Sequence, residues 1–213
     1  MDQLDHRNIE RSTDQVEYHP LRPFLPEGAK VLFLGSFPPP RKRWSCNFFY
    51  PNFINDHWRI EGLVWFGDKD RFVDAAGKRF RLDEIVEFCS ARGIAFFDTA
   101  VAVRRLRDNA SDKFLEVVEP TDIDRLLSNL PCCRAIVTTG EKAAETICSQ
   151  MGVAQVPKMG ESVGLGGRTN AEGRKIRLYR LPSSSRAYPM KLPDKAEAYK
   201  RMFLEVMSGM NDN

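Results

Sequence analysis

Three features of the chain predict a three-layer α/β/α sandwich around a short, mainly parallel four-stranded sheet. Short runs that are apolar on both faces end at glycine or proline, as strands buried in a parallel sheet do. Longer segments with apolar residues at helical spacing separate those runs, and strands alternating with helices imply βαβ units. Finally, 213 residues that are 42% hydrophobic and 29% charged suffice for one well-buried α/β domain and are marginal for two.

The elements follow in order. Residues 1–26 are polar and close with Pro20, Pro23 and Pro26, reading as an extended lead-in to a single domain over 27–213. Lys30–Gly35 is the first strand, stopped by glycine and then by prolines. Leu82–Arg92 carries Leu82, Ile85, Val86 and Cys89 at helical spacing, with Gly93 as its C-terminal stop. Gly93–Thr99 is the second strand, and Thr121–Leu130 the next helix, opened by Thr121 as N-cap. Arg134–Gly140 is the third strand and Glu141–Met151 the helix after it. Residues 152–174 are glycine-rich and poorly periodic, and read as a flexible excursion. Ile176–Leu181 is the fourth strand, and Asp194–Met207 a C-terminal amphipathic helix.

Composition excludes several classes. No apolar run reaches membrane-spanning length, and the first twenty residues lack the apolar core of a signal peptide, so a soluble cytoplasmic protein is expected. The five cysteines have no C-x-x-C spacing, and Cys132 and Cys133 sit where they pack beside a strand; no metal site or cofactor is expected. Neither phosphate-loop pattern nor a G-x-S-x-G elbow is present, which argues against nucleotide hydrolysis and a serine hydrolase. A formal net charge of +3 does not by itself mark a nucleic-acid binder.

In such sheets ligands collect beyond the carboxyl ends of the strands. The segments there are Gly35-Ser36-Phe37-Pro38 followed by Arg41-Lys42-Arg43; Asp98-Thr99 followed by Arg104, Arg105 and Arg107; Thr138-Thr139-Gly140; and Pro182-Ser183-Ser184-Ser185-Arg186. The stretch Trp44–Ile60 concentrates Phe48, Phe49, Tyr50, Phe53 and Trp58 with Asn47, Asn52, Asn55, Asp56 and His57. It reads either as a loop packed on the core through its aromatics or as an aromatic platform beside amides, suited to gripping a planar base. Its position after the first strand, where basic exits converge, favours the second. His57 alone among the histidines falls inside the domain, and a lone histidine of this kind is more often structural.

Gly35-Ser36-Phe37-Pro38, followed by Phe49-Tyr50-x-Asn52-x-x-Asn55-x-x-Trp58, resembles the first motif of the uracil-DNA glycosylase superfamily. Leu181-Pro182-Ser183-Ser184-Ser185 resembles its second motif, and the resemblance spans about Lys30 to Phe203. Phe37 stands where well-known members carry the Asp or Asn that positions water, and Leu181 where they carry His or Asn. Both departures resemble the hypoxanthine-DNA glycosylase branch, although Pro39 stands where that branch has glycine.

The resemblance implies a monomeric, cofactor-free hydrolase of the N-glycosidic bond of a deaminated base in DNA, acting on a damaged or mispaired site. It implies Asn55, or next Asn52, as the amide that orients water. Gly35, Ser36, Phe37, Phe49 and Tyr50 would then hold the base, while Pro182, Ser183, Ser184, Ser185 and Arg186 hold the DNA backbone. His57 would be free to donate to the departing base, with Asp56 an alternative base or an exposed turn carboxylate. Arg186 or Tyr188 would enter the vacated space, because Ser185 replaces a leucine common in relatives. The same scaffold without catalysis, a DNA- or nucleoside-binding module, is the competing expectation.

Overall fold

The computed structural model describes residues 15–106 and 114–208. Its central sheet has the order β5-β2-β8-β10-β9. The strands are β2 (Val31–Gly35), β5 (Ile94–Asp98), β8 (Ala135–Thr139), β9 (Ser162–Thr169) and β10 (Lys175–Leu181). The four expected strands are β2, β5, β8 and β10, and they pair in parallel. Val31, Leu32, Phe33 and Leu34 are all fully buried, as a strand covered on both faces requires.

The sheet has five strands because the glycine-rich stretch contributes β9, antiparallel to β10. Only Leu165 of β9 is buried, and a register shift interrupts the β9–β10 ladder. Glycines replaced the alternation that would have revealed this edge strand, so the expected flexible excursion was a misreading of 162–169.

Among the described residues, five α-helices accompany the sheet: α1 (His57–Phe66), α2 (Leu82–Arg92), α3 (Ile123–Ser128), α4 (Glu141–Met151) and α5 (Leu192–Ser208). The chain runs from β2 outward to β5, then back across β2 to β8 and on to β10. Right-handed crossovers therefore put α1 and α2 on one face and α3 and α4 on the other, giving three layers. The α5 helix returns to the α1 face, where Phe203 meets Trp65 at 4.9 Å between ring centroids. Connections leave β2 and β8 in opposite directions, so the topological switch point lies between their carboxyl ends.

Two smaller sheets flank this core. One orders β1 (Val16–Tyr18), β6 (Ala100–Arg105) and β7 (Leu115–Pro120); the other pairs β3 (Val73–Asp74) with β4 (Arg79–Phe80). Through β1 the polar lead-in joins an antiparallel sheet beside β5.

The α1 helix went unrecognised in the sequence for a physical reason. His57, Trp58, Arg59, Ile60, Glu61 and Gly62 are consecutive and all buried, so no polar face marks the helical period. Thr121 is not the α3 cap. Asp122 accepts from the Arg125 N–H at 2.9 Å, while Thr121 Oγ1 donates to the Asp98 carbonyl at 2.7 Å and secures the end of β5.

Candidate active-site cleft

A cleft of about 1140 Å³ opens at the switch point. The turn after β2 lines it with Gly35, Ser36 and Phe37; the loop before α1 with Tyr50, Asn52 and Asn55; and the loop after β10 with Pro182 through Arg186. Three segments far apart in sequence thus meet in one depression. Phe49 does not join them. It is 4% exposed and stacks on Phe96 in the core, behind the cleft wall.

Tyr50 crosses the switch point. Its hydroxyl is 2.8 Å from Thr139 Oγ1 on β8, and its backbone adopts φ 50°. His57 stacks beneath it at 3.8 Å between ring centroids and 12° between planes. His57 is wholly buried, and its pKa falls well below the ordinary histidine value because burial disfavours the cation. It therefore backs Tyr50, the structural role expected of a lone histidine, and is not placed to donate to a departing base, the role that the resemblance left open.

Beside it, Glu61 Oε1 lies 3.8 Å from His57 Nε2, and both side chains are inaccessible. Burial raises the Glu61 pKa to about 8, against a hydrogen bond from Trp65 Nε1 at 3.0 Å that favours the charged form. Near neutral pH the pair is a neutral imidazole beside a protonated acid.

Asn55 Oδ1 accepts the His57 N–H at 2.9 Å, which fixes the amide at the start of α1. One Oδ1 lone pair and the amide protons remain as hydrogen-bonding capacity. Asn52 closes the preceding turn, its carbonyl accepting from the Asn55 N–H at 2.8 Å.

Asp56 is neither exposed nor free. It is 7% exposed, binds Arg186 Nε at 3.0 Å and Lys195 Nζ at 3.3 Å, and its N–H donates to the Ser184 carbonyl at 2.9 Å. Lys195, on α5 and 1% exposed, also donates to the Ser185 carbonyl at 2.8 Å. A buried lysine needs such partners. Tyr199 hydroxyl adds a bond to the Pro182 carbonyl at 3.3 Å. Within the loop, Ser183 Oγ accepts from the Ser185 N–H at 3.2 Å, and Ser184 is 2% exposed.

A second carboxylate, named in the sequence only as part of a strand exit and given no role there, also belongs to the cleft. Asp98, at the end of β5, lines the cleft floor. A Cβ on Gly35 would come within 2.4 Å of its Oδ1, so glycine is required for this close approach. His19 Nε2, from the lead-in, lies 2.8 Å from Asp98 Oδ2; its other ring nitrogen is 2.9 Å from the Leu21 carbonyl oxygen. Phe37 packs edge-on against His19 at 5.3 Å. The signal for Asp98 was a lone acid ending the apolar run Ile94–Phe97. Nothing local marked His19 or Lys195.

The basic residues divide. Arg43, Lys142, Arg180 and Arg186 line the cleft, together with the acids Asp98, Glu141 and Glu145. Arg41 stacks over Trp44 at 4.0 Å. Arg104 bonds Glu116 at 3.0 Å and Arg105 bonds Glu17 at 2.9 Å, both on β6. Arg107 lies outside the described residues. No helix among the described residues is long and apolar enough to cross a membrane.

No protein-family model and no curated protein matches the chain. Among solved structures, the chain is similar to the solution NMR structure of a "putative Uracil DNA glycosylase" from Methanosarcina acetivorans. The TM-score is 0.58 at 21% identity, over 91% of this chain and 99% of the other. The mainly parallel sheet and its helical layers therefore belong to a fold that this chain shares with that structure.

Proposed function

We propose that the protein is a DNA glycosylase that hydrolyses the N-glycosidic bond of a deaminated base, uracil or hypoxanthine, flipped out of DNA. The observation that carries this reading is the meeting of three motif segments, Gly35–Phe37, residues from Tyr50 to Asn55, and Pro182–Arg186, in one cleft. The shared fold and the hypoxanthine-branch pattern of Gly-Ser-x-Pro with Leu-Pro-Ser support it.

In this reading the flipped base stacks on the face of Tyr50 turned away from His57. Deamination converts a ring nitrogen of adenine or cytosine from an acceptor into an N–H donor beside a new carbonyl. Asp98, an acceptor on the cleft floor, attracts that N–H and repels the lone pair of the unmodified base. Bond cleavage builds positive charge on the sugar and negative charge on the base. Asn55 is a neutral amide, so it orients water towards the dissociating sugar and does not act as a strong base. Backbone and hydroxyl groups of Ser183–Ser185, with Arg186, hold the flanking phosphates.

The test is a panel of duplexes containing uracil, hypoxanthine, xanthine or guanine-paired thymine, scored for alkali-sensitive strand breakage. Breakage by the wild-type protein and its loss in Asn55→Ala, with DNA binding retained, is expected. Binding without breakage on every substrate overturns the enzyme in favour of a binding module.

A further inference from the structure

We propose that Ile54 is the side chain that enters the DNA stack when a base is drawn into the cleft, an inference that rests on the glycosylase reading above. Extracting a base leaves a gap, and proteins that unstack DNA fill such gaps with an apolar wedge. Of the large hydrophobic side chains that are exposed among the described residues, Ile54 and Met159 line the cleft. Ile54 is 53% exposed and sits between the two cleft-lining amides Asn52 and Asn55.

Its turn is clamped. The Ile54 N–H donates to Asn52 Oδ1 at 3.2 Å, and the Asn55 N–H to the Asn52 carbonyl at 2.8 Å. Phe53 turns inward, 5.4 Å from the Phe80 ring and 4.9 Å from the Arg59 guanidinium. Arg59 also donates to the Phe53 and Asn55 carbonyls at 2.9 and 3.2 Å. The turn thus half-buries one neighbour against the core and leaves a stiff, β-branched side chain outside, which has little freedom left to lose on insertion.

The other candidates are otherwise engaged. Arg186 is held by Asp56, and the Tyr188 hydroxyl lies on Met159 Sδ at 2.7 Å. Ser185 is too short to fill a base-sized gap.

Single-turnover base release tests the proposal in wild type, Ile54→Ala, Ile54→Leu and Met159→Ala. Each is measured on a uracil- or hypoxanthine-containing duplex and on the single strand of the same sequence. Ile54→Ala is expected to slow release from duplex on the order of tenfold or more and to leave single-strand release unchanged, because only the duplex has a stack to open. Ile54→Leu restores the duplex rate. A 2-aminopurine beside the lesion brightens on binding to wild type and less with Ile54→Ala. Equal losses on both substrates, no loss on duplex, or the duplex-specific loss in Met159→Ala instead each overturn the wedge. Wild type that releases no base from either substrate overturns the glycosylase reading, and the wedge with it, which separates that failure from a failure of Ile54 alone.

Discussion

Two histidine–carboxylate pairs flank the same cleft wall and behave as opposites. His19 and Asp98 are 2.8 Å apart and directly bonded, and the acid lines the cleft. His57 and Glu61 are 3.8 Å apart, sealed behind Tyr50, with both imidazole nitrogens unpartnered. Imidazole and carboxylate thus place a polar group in the cleft in one case and form an uncharged packing layer in the other. What differs most is access to water and to backbone groups, since both pairs join an imidazole to a carboxylate.

Within these two pairs, the largest effect is expected from Asp98→Asn, which replaces an acceptor by an amide that can present a donor. Base release should fall by about 100-fold, the scale of losing one aligned hydrogen bond to a reacting group. Unchanged single-turnover rates would remove Asp98 from the site. Gly35→Ala should follow, with a loss on the order of tenfold or more, because the new Cβ displaces the same carboxylate. Near-wild-type kinetics would show that the position of Asp98 does not matter.

His19→Gln should cost about tenfold or less, since Asp98 stays in place and loses one orienting partner. A loss equal to that of Asp98→Asn would make the two a single functional unit and sharpen the contrast with the buried pair.

The smallest effect on activity is expected at Glu61→Gln, whose readout is stability against pH. Folded Glu61 keeps its proton up to about pH 8, whereas the unfolded acid loses it near 4.5, so stability falls as pH rises between those values. His57 works with the opposite sign: the unfolded ring gains a proton below about 6.5 and the folded ring does not, which offsets the Glu61 slope there. A net decline of roughly 1 kcal/mol between pH 6.5 and 8 is expected in wild type and should vanish in Glu61→Gln. Parallel curves from denaturant titrations would place the charge elsewhere.

The same contrast explains what the sequence disclosed. The four parallel strands were legible because burial on both faces leaves apolar runs with sharp ends. Gly35, Tyr50, Asn55 and the Pro-Ser loop were legible as motifs, and the structure gathers them. Helix α1 was not, because burial on all sides erased its period; nor was β9, because glycine erased its alternation. His19 and Lys195 were invisible for another reason. Each serves a partner distant in sequence, Asp98 at 79 residues and Asp56 at 139, and locally resembles an ordinary polar residue.

Asp56 has a mechanical consequence. One carboxylate, with its own N–H, joins the wall before α1 to the Pro-Ser loop opposite, and Lys195 braces the joint from α5. The mouth of the cleft is a tied arch whose span is set by the protein's own bonds. If the proposed glycosylase reading holds, a substrate that does not fit this span must itself be bent and opened, so the work of adaptation would fall on the DNA, and helices already weakened by a mismatch would be the ones to yield.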